Sequence, residues 1–175
     1  MTVPKFIFNC QREGRCCETR DSIDVLIDDI EQWWTDGNFA KIYPELQIVT
    51  DGALPIKMQI QKENACPFLD DKNCSIYDAR PMSCRAFPLG FNGKNFILVD
   101  EECPGIGKGK TTPEDLEDIR NAAKAEYHAR IRNQAILPAL HAIILKDAMK
   151  QSEEALGKLS DEERDKLKEI FDGAK

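Results

Sequence analysis

Histidine is nearly missing from this chain, with only two among 175 residues, and no CxxC pair occurs anywhere in it. Basic charge is also short. The formal net charge is −7, and neither residues 1–110 nor residues 111–175 carry a basic excess. A surface that grips polyanions without sequence preference is therefore excluded, because nucleic acid would be repelled on average. Long apolar runs are absent as well. The opening MTVPKFIFNC holds no signal-peptide core, and the most apolar later stretch, Ala135 to Leu145, is broken by Pro138 and His141 and is too short to span a bilayer. These absences predict a cytoplasmic protein with neither a nucleic-acid nor a membrane partner. The last absence is the most informative: no cysteine follows Cys103.

What is present is sulfur. All seven cysteines, Cys10, Cys16, Cys17, Cys66, Cys74, Cys84 and Cys103, fall in the first part of the chain. In a reducing cytosol a disulfide framework is disfavoured, and metal binding or redox chemistry becomes the better explanation. A lone cysteine is more often a small buried hydrophobe than a ligand. Seven of them clustered in one part and missing from the other do not fit that reading, since core use would scatter them through both. With so little histidine, ligation must be all-sulfur or nearly so. Thiolates suit zinc or iron–sulfur clusters, and a four-thiolate shell is common to both. Structural zinc sites build on CxxC knuckles, so their absence leans toward iron–sulfur. The adjacent Cys16 and Cys17 point to opposite sides of an extended chain and diverge by about 100° even in a helix. This argues against their sharing one mononuclear tetrahedral site.

The length suits about one domain. Residues 1–110 form a cysteine-bearing part rich in turn formers such as Pro44, Gly52, Pro55, Pro67, Pro81, Pro88, Gly90, Gly93, Pro104 and Gly105, which leave room only for short elements. Ile23–Leu26 reads as a brief strand. A helix capped by Asp28 should follow, with Ile30, Trp33 and Trp34 inward and its end near Gly37. PIKMQI (55–60) and NFILVD (95–100) read as further strands, with Gly93 in the turn before the second. Residues 111–175 change grammar. Thr112 as N-cap with Pro113 behind it starts a helix whose stripe is Leu116, Ile119, Ala123, Tyr127 and Ile131, and Pro138 should end or kink it. A second helix covers Leu140 to about Leu156. A third opens at the capping box of Ser160 and Glu163, with Leu167, Ile170 and Phe171 inward. The fold class predicted is α+β, mostly α: an irregular cysteine-rich metal module with short strands, packed as one compact domain against about three C-terminal helices.

The stretches FNCQREGRCC, CPFLDDKNCSIYDARPMSCRAFPLG and CPGIGKG together resemble the YkgJ-type cysteine-cluster family, a zinc- or iron-chelating domain often labelled as an iron–sulfur protein. The resemblance spans roughly residues 6–109 and implies that all seven cysteines are metal ligands. It implies an iron–sulfur cluster, of the four-iron type, or zinc as the cofactor. The family's opening motif reads CxxCxxCC, and Glu13 stands here where its second cysteine belongs. Glutamate ligates zinc or iron through oxygen, so Glu13 is an eighth candidate, enough with seven thiolates for two four-coordinate sites. The same domain occurs in flagellin lysine methylases, which implies a role serving protein modification beside the structural and redox ones. Between the cysteines, Phe68 and Tyr77 would shield sulfur from water, and Arg80 and Arg85 would donate to thiolates or carbonyls and offset their charge.

Other signals carry less. GIGKGKT (105–111) leaves three residues between Gly105 and Gly109 where a phosphate-binding loop needs four, and no strand precedes it. His128 and His141 lie in predicted helices away from the cysteines and read as helix-surface residues rather than ligands. The Leu137, Leu140, Ile143, Ile144 patch is most simply helix core, with a dimer interface as its alternative. No catalytic or nucleotide fingerprint is legible.

Overall fold

The computed structural model describes residues 6–50, 56–62 and 64–172. It starts with the short helix α1 (Arg15–Thr19), strand β1 (Ser22–Val25) and helix α2 (Ile27–Thr35). One turn of helix, α3 (Phe39–Ile42), leads through a 3₁₀ turn to strands β2 (Leu46–Thr50) and β3 (Ile56–Gln61). β3 lies in the middle of an antiparallel sheet ordered β1-β3-β2, with Ile23 opposite Ile60 and Leu46 opposite the same residue from the other side. Alternation decides which face is inward. Ile23, Val25 and Ile60 are buried, and they meet Trp33 and Ile42 in the first hydrophobic cluster.

The chain then makes the two-residue strands β4 (Leu69–Asp70) and β5 (Asn73–Cys74), a 3₁₀ turn (Tyr77–Ala79) and helix α4 (Met82–Ala86). Strands β6 (Leu89–Phe91) and β7 (Phe96–Leu98) form a hairpin. Helix α5 (Pro113–Gly157) and helix α6 (Asp161–Asp172) complete the described chain. In a second cluster Ala86 and Leu89 meet Ile119 and Ala123 of α5, with Phe8, Phe91 and Phe96 against them.

The mostly-α α+β class holds, but the helix count does not: two helices, rather than about three, follow residue 111 among the described residues. Pro138 lies inside α5 instead of ending it. A proline withdraws only its own N–H and crowds one carbonyl. The good helix formers on either side, Ala135, Leu137, Ala139 and Leu140, carry the helix past it. Both predicted caps are present. Thr112 Oγ1 accepts from the Asp115 N–H at 3.1 Å while Asp115 accepts from the Thr112 N–H at 2.8 Å, and Ser160 and Glu163 repeat the arrangement. The side chains of Leu167, Ile170 and Phe171, expected inward, lie outside the described ones, as do Gly52 and Pro55.

Two expectations for α2 are corrected. Trp33 is buried, but Trp34 is 74% exposed and stands edge-on to Phe39, because neighbours on a helix cannot both face one core. Asp28 does not cap the helix: it pairs with Arg132, and the Leu26 N–H is taken by Asp29. By contacts the chain forms two compact units, Met1–Ala135 and Ile136–Lys175. Every cysteine is in the first. In the second, Leu140, Ile143 and Ile144 are exposed rather than core. No helix among the described residues is long and apolar enough to cross a membrane.

Candidate metal centre

Three backbone devices bring the cysteines together. The first joins the two ends of the cysteine-bearing region. Phe8 forms an antiparallel bridge with Ile106, the Asn9 N–H donates to the Gly105 carbonyl at 3.1 Å, and the Gly107 N–H donates to the Ile7 carbonyl at 2.9 Å. Thr111 Oγ1 accepts from the Phe8 N–H at 2.9 Å and holds the segment down. Cys10 is thereby laid beside Cys103. The approach is close enough that a Cβ on Gly105 would stand 2.5 Å from the Asn9 oxygen, so only glycine fits.

The second device starts α1. Gly14 takes a left-handed φ of 74° and is buried against Leu69 and the Lys72 backbone. Cys16 and Cys17 follow in the first turn, and the Cys66 N–H donates to the Cys17 carbonyl at 2.8 Å, tying the two cysteine segments together. Arg15 pairs with Asp100 and, at 2.7 Å, with Glu102, fastening α1 to the loop before Cys103.

The third device places Cys74 and Cys84. Asp71 and Lys72 both adopt positive φ, 38° and 68°, closing a two-residue hairpin turn that sets Cys74 opposite Leu69. Helix α4 carries Cys84 and is clamped by buried groups. Asp29 accepts from the Met82 N–H at 2.8 Å and from the Leu26 N–H at 2.9 Å, and Ser83 Oγ donates to the Asp24 carbonyl at 2.8 Å. Trp33 Nε1 donates to the Ala79 carbonyl at 2.6 Å just before it. Burial pushes the Asp29 carboxyl up to about 6, against the pull of its two backbone donors and of Arg85.

As a result all seven cysteines line one cavity of about 120 Å³, and Glu13, exposed on its other side, lines it with them. Phe68 and Tyr77 stand in the wall, as expected of shields; His128 and His141 do not. Cys66 is buried, Cys10 is exposed, and the other five are half-buried. Among the described residues, no three His, Cys, Asp or Glu side chains are drawn together closely enough to hold one metal ion. The sulfurs ring a space rather than converge on a point. Cys16 and Cys17, expected to diverge, both face this space, because a turn of 100° still lets two thiols bend toward a cavity above the helix.

The thiols are electrostatically unlike. Cys17 is pushed up because it keeps the proton it shares with Cys16 and then with Cys66. Cys16 and Cys66 are pulled down, first by that same Cys17 thiol, with Arg20 helping at Cys16 and Lys62 at Cys66. Burial raises Cys84 to about 11 and also raises Cys74 and Cys103. Two thiols are thus primed as thiolates while the enclosed ones need a cation to ionise.

Cations line the cavity, and the roles expected of them hold in part. Arg20, which no sequence signal singles out, is the cation that hydrogen-bonds to sulfur among the described residues: its Nη1 donates to Cys84 Sγ at 3.6 Å, and its guanidinium lies over Phe87. Arg80 donates to a carbonyl, that of Tyr77, at 2.8 Å and stacks on that ring, whereas Arg85 faces Asp29 at 3.7 Å. Lys62 Nζ and Arg85 Nε are buried without a hydrogen-bond partner among the described residues. Buried cationic donors left over near a thiol-lined cavity fit a centre that carries negative charge.

No solved structure matches the chain. The family model CxxCxxCC, described as "Putative zinc- or iron-chelating domain", matches residues 9–104, more than half of the chain. These limits enclose every one of the seven cysteines, and the chain belongs to this family of zinc- or iron-chelating domains.

Proposed function

We propose that the protein holds an iron–sulfur cluster on its cysteine thiolates, in a reducing compartment such as the cytoplasm. The observation that carries this reading is the single cavity lined by all seven cysteines. Four thiolates on one zinc ion, each about 2.3 Å from the metal, stand only about 3.8 Å from one another and leave no free space inside. A volume of about 120 Å³ equals the share of about four waters in the liquid, at about 30 Å³ each, and suits a polynuclear group. The spare donors Lys62 Nζ and Arg85 Nε support it, since a cluster with thiolate ligands is anionic.

The residues divide the work by position. Cys66, Cys74 and Cys84 adjoin the first hydrophobic cluster, which shuts water out on that side. Arg20 donates to the Cys84 sulfur, and such hydrogen bonds tune the potential of a cluster. Cys10 lies on the exposed rim, where electrons or a reactant would enter. When bound, the cluster supplies one-electron transfer. A second reading, two zinc ions in four-coordinate sites, is favoured by Glu13: it lines the same cavity and completes eight ligands with the seven thiols.

Purification without oxygen, followed by iron, acid-labile sulfide and zinc assays per chain and an absorption spectrum, separates these readings. The expected result is a brown protein with iron and sulfide in similar amounts. A colourless protein with two zinc ions overturns the iron–sulfur reading in favour of the second, and a protein free of metal overturns both.

A further inference from the structure

Beside the sulfur cavity runs a second, larger hollow of about 560 Å³ that shares Cys10, Arg12, Tyr77, Arg80 and Arg85 with it. That volume is in the usual range for a small-molecule site, about 300–1,000 Å³. Its charge runs against the rest of the molecule. The chain as a whole carries −7, yet Arg12, Arg80, Arg85 and Lys110 line this hollow against only Asp115 and Asp118. Asp115 is already engaged as the partner of the Thr112 N–H and hydroxyl.

The three arginines are held rather than loose. Arg12 and Arg80 both stack on the Tyr77 ring, at 4.1 and 3.8 Å from its centre. Arg12 does so from a left-handed backbone, φ 54°, which a non-glycine residue adopts only at a cost. Among the described residues Arg85 Nε is buried with no hydrogen-bond partner, and the carboxylate facing its guanidinium, Asp29, stands at 3.7 Å. A planar guanidinium with spare donors is suited to grip a carboxylate or phosphate through two oxygens.

We propose that this hollow binds a small organic anion, a carboxylate or phosphate ester of metabolite size, gripped by Arg80, Arg85 and Lys110 with its far end against Cys10. Placement next to the metal centre rests on the preceding reading; the anion site itself rests on the hollow and its cations. A ligand seated there would meet the centre at its exposed cysteine, which makes it a candidate reactant rather than a distant effector.

The test uses succinate and glycerol 3-phosphate, both weak chelators, titrated calorimetrically into the full-length protein as purified without oxygen, with metal measured on the same samples. At least one should bind, and Lys110→Gln and Arg80→Gln should each weaken it about tenfold or more, with metal content unchanged in Lys110→Gln, whose residue lines the hollow and not the sulfur cavity. Affinity should also fall as sodium chloride is raised. The better-bound probe tells carboxylate from phosphate. Full metal content with no binding of either anion, or binding that both variants leave intact, overturns the anion site and spares the metal reading. Anion binding that both variants weaken, by a chain without metal, supports the site while overturning the metal reading.

Discussion

Asp29 offers a perturbation whose size follows from the structure. It is 1% exposed, accepts two backbone N–H groups at 2.9 and 2.8 Å, and through the second fixes the start of the helix that carries Cys84. Asp29→Asn keeps the shape but can accept with one oxygen only, turning an amide N–H toward one of the two donors. Leaving a buried donor unsatisfied costs about 1–3 kcal/mol. The pH dependence is set by burial. An acid raised from 3.8 to about 6 binds its proton more tightly folded than unfolded, so its contribution to stability is greatest at low pH and is lost as pH rises through 6. Linkage between those values gives about 1.4 kcal/mol between pH 7.5 and pH 5. The variant cannot titrate there. Its deficit relative to the parent should therefore be about 1–3 kcal/mol at pH 7.5 and about 1.4 kcal/mol larger at pH 5. Urea unfolding followed by the fluorescence of buried Trp33, with both proteins at matched metal content, measures the difference while thiol titration common to both cancels. A gap that stays constant, or that narrows toward pH 5, would refute the reasoning and mean that the backbone donors and Arg85 outweigh burial.

Three further outcomes are expected. Arg20→Ala removes the donor to Cys84 Sγ and the cover over Phe87, and should weaken metal retention about 10- to 100-fold, read as faster loss to a chelator. Glu13→Ala should lower metal content if the carboxylate is a ligand, whereas Glu13→Cys, which restores the family motif, should hold or raise it; equal metal in all three proteins places Glu13 in solvent. Gly14→Ala sets a Cβ 2.9 Å from Leu69 Cδ1 on a backbone at φ 74° and should cost about 1–3 kcal/mol, measured by denaturation.

Some of the structure was legible because its causes are local. The caps at Thr112 and Ser160 depend on a residue three positions on, and both are in place. The strand through 56–60 follows from alternation, since each side chain's face is fixed by its own position. Pro138 and Trp34 went astray where a local rule had a competitor. Strong helix formers on both sides outweighed one missing N–H, and a second adjacent tryptophan had no core left to enter.

The sequence by itself determined which donors are on offer, seven thiols with almost no histidine, whatever the fold, because ligand type is a property of the side chain. Which thiols meet was decided by tertiary structure. The Phe8–Ile106 bridge, the Cys66–Cys17 backbone bond and the Asp29 clamp under α4 join residues far apart in the chain, and none is visible from spacing alone. Arg20 and the basic hollow have the same origin. A charge becomes a ligand's partner only once folding has removed it from water and aimed it, and that is settled by contacts that no single segment contains.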